Sequence, residues 1–284
     1  MKTKRTLTQE DMDAFALESK VGLLATVNPR GLPHITLITS LMAHAPGRLV
    51  WGQFSEGKSK TNIRRHKNCA FLVLTMDRRI WRGRALWTHE KKEGPEYELF
   101  NSLPMFRYNA YTGIHTVHYM ELMEAVGPEQ VPLFRTAAGL AQASLLSRGV
   151  AGRNGGALKP WAYSFLNRLT TLKFIASVSQ DGFPWIIPCL ACRAADQSRL
   201  VFSPLAWGEE FSALPSGAPV AVFGLGMEAE SVLVRGSLYW FSRLGTRLGV
   251  VDIDWVYNSM PPIPGQIYPQ PPLEPVEEFP EFPR

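Results

Sequence analysis

The sequence predicts a mainly β chain with flanking helices, an α+β class built as two tandem small barrels of about six strands each. Three observations carry this prediction. The first is an internal repeat: "LLATVNPRGLPHI" (23–35) aligns with "FIASVSQDGFPWI" (174–186) at an offset of 151 residues. From Val21 to Val73 that offset gives 11 identities in 53 ungapped positions, where about 3 would arise by chance at average residue usage. The second is a hairpin signature in each copy. An apolar, β-rich run, "GLLATV" or "KFIASV", meets "NPRG" or "SQDG" and a second such run follows. The third is a shared order of further short β-rich runs: "RLVWG" or "RLVFS", then "AFLVL" or "VAVFG", then "WRGRALW" or "LVRGSLYW".

Taken in chain order, "TLTQEDMDAFALES" reads as a short helix, with Thr8 as N-cap and Asp11 three residues on. The first set of strands follows and ends with "VHYMELMEA" (117–125), after an insertion, "KKEGPEYELFNSLPMFRYNAYTG", expected to hold a helix and a loop. "EQVPLFRTAAGLAQASLLSR" (129–148) is expected to be helical, and "GVAGRNGG" reads as a linker. "LKPWAYSFLNRLT" stands before the second copy as the first helix stands before the first, and "VVDIDWVYN" (250–258) closes that copy. The tail "PPIPGQIYPQPPLEPVEEFPEFPR" carries too many prolines for a helix or a central strand and is expected to be extended. The expected domains are therefore 1–127, a first barrel; 128–158, helix and linker; 159–260, a second barrel; and 261–284, the proline-rich tail.

Composition narrows the function classes. No apolar run approaches the 18 or so residues of a spanning helix, so no membrane partner is expected. Three cysteines cannot build a disulfide framework and the basic N-terminus lacks a secretory apolar stretch, which points to a cytoplasmic protein with reduced thiols. The net charge is +5, with the bases bunched at Lys58, Lys60, Arg64, Arg65 and Lys67 and again at Arg78, Arg79, Arg82 and Arg84. Such bunching fits either a solvated face or an anionic partner. Nucleic acid is disfavoured as that partner, because no interleaved aromatic platform or recognised motif accompanies the bases.

Familiar chemical motifs fail on geometry. Cys189 and Cys192 form a C-x-x-C inside a predicted strand, where residues three apart face opposite ways, so they read as core residues. His115 and His118 fail as a metal pair for the same reason, and no metal site is expected. No nucleophile-elbow, zincin, phosphate-loop or dinucleotide fingerprint is present.

"WGQFSEGKSKTNIRR" (51–65) is different. A strand runs into a glycine-containing loop and a helix start, where free N–H groups and the helix dipole favour an anion. Ser55, Ser59 and Thr61 add hydroxyl donors and Lys58 and Lys60 add charge, a set suited to phosphate. An exposed basic turn would read the same way. The repeat supplies an internal comparison: Lys58 falls on Glu209, Ser59 on Glu210 and Lys60 on Phe211. Two glutamates are expected to repel a phosphate.

The strings "GLLATVNPRGLPHITLI", "RLVWGQFSEGKSKTNIRRHKNCAFLVL" and "IWRGRALW" resemble the pyridoxamine 5'-phosphate oxidase-like proteins, the FMN-binding split-barrel family. The resemblance extends over residues 20 to 125 and, in the strands alone, over 172 to 258. It implies two tandem split barrels of the FMN-binding type and a flavoprotein, with oxidoreductase chemistry on an unidentified small substrate or electron donor. A non-catalytic flavin- or haem-binding protein is the alternative. Carried over by position, Lys58, Ser59 and Lys60 become phosphate ligands, with Ser55, Thr61 and Asn62 as helpers. His34, Thr36 and the backbone near Leu37 would lie by the ring or ribityl chain, Gln53 would reach a polar edge of the flavin, and Trp81 or Arg82 would cover it from the facing barrel. The family pairs barrels across a homodimer, and here the pairing could equally be within one chain. Because a flavin carries its own redox chemistry, no catalytic residue is assigned.

Overall fold

The two hairpins form where the turn residues demand them. Gly31 and Gly182 take φ of +75° and +80°, the left-handed region that glycine enters without strain. Asn28 and Ser179 close the turns, each donating its amide to the residue four positions on and accepting from the glycine amide. In the computed structural model, which describes residues 3–53, 55–103, 113–150, 156–228, 230–243, 245–258 and 265–272, these turns join β1 (Lys20–Val27) to β2 (Pro33–Leu37) and β8 (Leu172–Val178) to β9 (Pro184–Pro188).

The first half continues with β3 (Met42–Ala45), β4 (Arg48–Gln53), α2 (Lys58–Arg65), β5 (Asn68–Thr75), β6 (Arg79–Lys91), α3 (Pro95–Ser102) and β7 (Thr116–Gln130), after an opening α1 (Gln9–Ala16). The second half follows α4 (Leu133–Leu146) and α5 (Pro160–Asn167), and adds β10 (Cys192–Ala194), β11 (Arg199–Phe202), α6 (Gly208–Ser212), β12 (Pro219–Leu225), β13 (Ser231–Arg243), β14 (Thr246–Asn258) and β15 (Gly265–Tyr268). The first antiparallel sheet runs β2-β1-β5-β6-β7-β4-β3. The second runs β9-β8-β12-β13-β14-β11-β10, the same order in equivalent strands, with β15 paired to β14. The chain is thus mainly β, consistent with two tandem split barrels.

Local chemistry accounts for the helix entries. Thr8 caps α1 in a full capping box, its hydroxyl accepting from the Asp11 amide while the Asp11 carboxylate accepts from the Thr8 amide at 2.7 Å. Asp11 also accepts from the indole of buried Trp81 at 2.7 Å, so the cap anchors α1 to the barrel wall. Each barrel has its own apolar interior, around Phe15, Trp51, Phe71 and Trp81 in the first and Phe165, Phe202, Phe211 and Val251 in the second. A third cluster lies between them, where Leu23, Ile35 and Leu72 of the first sheet meet Phe174, Ile186, Phe223 and Trp255 of the second. Side chains of this size each contribute about 1.5–3 kcal/mol when fully buried. The pairing face is therefore core rather than surface.

Several sequence expectations are corrected. Each sheet has a seventh strand, β3 or β10, too short to stand out in the sequence. The fourth helix begins at Leu133, because β7 runs on through Pro128 to Gln130. Cys189 and Cys192 do not lie within one strand. They flank the turn between β9 and β10, and both thiols enter the second barrel's core, close enough to influence one another, where burial keeps Cys189 protonated. The described part of the tail is extended, as its prolines imply, and pairs with β14 as the edge strand β15; most of the tail and much of the linker lie outside the described residues. No described helix is long and apolar enough to cross a membrane.

Candidate functional site

The loop before α2 opens into a cavity of about 730 Å³ between the two halves. The first half lines it with the β1–β2 turn, His34, Glu56, Gly57, Lys58, Thr61 and Asn62. The second lines it with Arg235, Trp255 and Tyr257 from β13 and β14 and Gln266 from β15. Neither half encloses it alone.

The start of α2 is rich in donors, with the Glu56 carboxylate at its edge. No side chain caps the helix, whose N-cap is Gly57, and its first turn holds no acid. The Lys60 and Thr61 amides turn back to the Gly57 carbonyl, leaving the Lys58 and Ser59 amides outside the helical ladder. Ser59 is 2% exposed, yet its hydroxyl has no hydrogen-bond partner. Lys60 is 7% exposed with no ion pair among the described residues. Burial pulls its pKa down, opposed only by the field of Glu56. A buried hydroxyl left without a partner is costly in a folded protein, and so is a lysine this buried without an ion pair. An oxyanion at this helix start would satisfy both, together with exposed Lys58.

Behind this cluster a buried relay fixes Glu56. Trp87 donates its indole N–H to His118 Nδ1 at 3.2 Å, His118 Nε2–H donates to the Gln53 carbonyl oxygen at 2.6 Å, and the Gln53 amide donates to Glu56 at 2.8 Å. This pattern requires neutral His118, in keeping with a pKa that burial and nearby cations hold at about 3. Gln53 thus holds a carboxylate at the edge of the site rather than lining the cavity itself. Asn62 is likewise engaged, donating to Thr26 at 3.0 Å. Exposed Ser55, half-buried Thr36 and buried Ser59 and Lys60 do not line the cavity; of the predicted phosphate residues Lys58, Thr61 and Asn62 do.

The opposite wall is aromatic. Trp255 and Tyr257, two apart on β14 and so on one face, stack with centroids 5.2 Å apart and planes 7° from parallel. His34 meets both edge-on at 5.7 and 6.4 Å, and burial with three nearby cations holds its pKa at about 3. Lys58 lies 5.4 Å from the Tyr257 ring and the Arg235 guanidinium 3.7 Å from that of Trp255. Gln266 on β15 accepts from the Trp255 indole at 2.9 Å, so the tail segment steadies the wall.

The equivalent place in the other half is filled by the protein itself. Glu210, at the repeat position of Ser59, receives both terminal nitrogens of Arg82, at 2.6 and 2.9 Å, and the Trp185 indole at 2.7 Å. Glu129 takes the remaining side of Arg82, whose side chain is wholly buried. The expectation that the glutamates simply repel an anion is corrected: Glu210 serves as the anion, and a fixed carboxylate stands where the α2 loop has unmatched donors. Trp81 and Arg82 are corrected with it, since Trp81 points into the first barrel's core and Arg82 is locked in this network, both away from the cavity.

His34 and His118 make a pH prediction. Both are neutral when folded, whereas a histidine in an unfolded chain protonates near pH 6.5, so below that pH the unfolded state binds more protons. Their contribution to stability is complete above about pH 6.5. It is lost as pH falls toward 3, by about 1.4 kcal/mol per pH unit for each histidine. The urea midpoint should drop between pH 7 and pH 5, and His34→Gln should shrink the drop. An equal midpoint at the two pH values would contradict the burial of both rings.

Arg235, Trp255, Tyr257 and Gln266 were not expected from the sequence, although a lone arginine in "VLVRGS" and the alternating aromatics of "DWVY" are the signals that mark them. No protein-family model matches the chain, and no curated protein matches it. Among solved structures it is similar to a proposed pyridoxamine 5'-phosphate oxidase from Lactobacillus delbrueckii, at 18% identity and a TM-score of 0.36 over 45% of this chain and 100% of that one. HupZ from Group A Streptococcus is similar at 17% identity and a TM-score of 0.35, over 42% and 91%. An FMN-binding protein from Syntrophomonas wolfei is similar at 15% identity and 0.34, over 40% and 79%. Each match is the size of one of the two sheets, and at such identities and scores it assigns neither ligand nor reaction.

Proposed function

We propose that the chain is a flavoprotein that binds FMN in this cavity, with the phosphate at the start of α2 and the ring system toward Trp255 and Tyr257, and that it serves as an oxidoreductase for a small substrate. The observation that carries the reading is the start of α2, where Gly57, Lys58 and Thr61 line the cavity opposite an aromatic wall supplied by the other half and the buried Ser59 hydroxyl beside them has no partner. Lys58, Lys60, Ser59 and the first α2 amides would hold the phosphate, and Asn62 and Thr61 would shape the loop around it. A cavity of about 730 Å³ suits a ligand of this size. The flavin, when bound, would supply hydride or electron transfer. The chain's own part is to bind, orient and exclude water: neutral His34 and the Trp255–Tyr257 pair present a flat, low-dielectric surface.

The test is the visible spectrum of the purified chain, with the released molecule identified by mass. A two-band flavin spectrum and the mass of FMN are expected. An intense single haem band would favour the haem alternative, and a colourless protein that takes up no added FMN would overturn the reading.

A further inference from the structure

Arg235 lines the cavity from the second half. It comes from β13, cross-strand to Trp255, while Lys58 lies over Tyr257 two residues further along β14. Arg235 is 8% exposed and its Nε is buried without a hydrogen-bond partner. Among the described residues no ion pair or hydrogen bond holds the guanidinium. The carboxylate whose field reaches it, Asp254, stands beyond ion-pair distance, and the Arg30 charge on the β1–β2 turn opposes it from the other side. Its repeat counterpart, Arg84, is by contrast fully employed by Asp181 at 2.8 Å, Glu124 at 3.2 Å and Ser179 at 3.3 Å. An arginine presents a planar fork that matches an oxyanion, and burying it unmatched is costly.

We propose that Arg235, assisted by Arg30, is a second anion-recognition point in the cavity, and that it selects a small molecule bearing a carboxylate or phosphate as the substrate. The Trp255 ring carries the guanidinium at 3.7 Å and so holds its fork in place for the oxyanion. The inference rests on the flavin reading only for calling this molecule the substrate; the recognition itself is independent of it. The cavity is then a site for two anions, with the α2 cluster for one and Arg235 for another.

The test measures calorimetric binding of benzoate, phenyl phosphate and neutral benzamide to the full-length chain, with and without saturating FMN. Wild type is expected to prefer at least one of the two anions over benzamide by tenfold or more, and the preferred anion tells carboxylate from phosphate. Arg235→Gln should lose that preference while binding benzamide as before and FMN within about threefold. Its melting temperature is expected to equal or exceed that of wild type, because a buried charge without a partner has been removed. The proposal is overturned if wild type does not discriminate, if Arg235→Gln keeps the preference, or if the variant loses FMN as strongly as it loses the anion. The last outcome would place Arg235 in the flavin's own site. Failure of the flavin reading is distinguishable: FMN would not bind, yet the anion preference would persist in the cofactor-free chain.

Discussion

Lys58→Glu combined with Lys60→Phe, which copies the second half's residues into the first, is expected to weaken FMN binding a hundredfold or more while leaving the unfolding midpoint near that of wild type. Each charged hydrogen bond to a phosphate is worth roughly 1.5 to 3 kcal/mol, so two lost contacts amount to about two decades or more in affinity. The fold should tolerate the change. Lys58 is exposed, and Lys60, though buried, has no ion pair among the described residues to lose. Phe211, the residue copied at the second position, is accommodated fully buried in the equivalent loop. Affinity within threefold of wild type, by fluorescence titration, would remove the phosphate assignment from this loop.

Glu210→Ala should have the largest effect on stability of any single change considered. Arg82 is wholly buried, and Glu210 supplies two of its shortest contacts and also receives Trp185. Removing one partner of a buried pair costs about 3–5 kcal/mol, because the remaining charge is stranded. Glu129 stays in place, so the lower part of that range is expected. Glu209→Ala is the control: Glu209 is exposed and has no ion pair among the described residues, so its loss should cost less than 1 kcal/mol, roughly. Urea unfolding at pH 7 checks both. Equal midpoints for the two variants would show that the Arg82 network does not hold the halves together.

The parts of this molecule that were legible in its sequence are those fixed locally. The hairpins follow from Gly31 and Gly182, the first helix from Thr8 and Asp11, and the donor loop from the residues around Lys58. What the sequence hid depends on which half faces which. Trp81 and Arg82 stand on the strand equivalent to the one that bears Arg235, so the resemblance led to the right element in the wrong copy. The sign of a residue was legible and its partner was not: Glu210 read as a bar to phosphate, and folding gives it Arg82 instead. The Cys189–Cys192 turn was missed because "PCLAC" lacks the glycine or asparagine that usually marks so short a reversal.

The central claim is that two halves of one topology build a single FMN-phosphate site, at the α2 loop, the equivalent place being taken by Glu210. The measurement that reaches it most directly is calorimetric titration of the cofactor-free, full-length chain with FMN, with protein concentration fixed by amino-acid analysis. One FMN per chain is expected, with that binding lost in Lys58→Glu/Lys60→Phe and kept in Glu209→Ala. Saturation at two FMN per chain, or one that survives the double substitution, would contradict the claim.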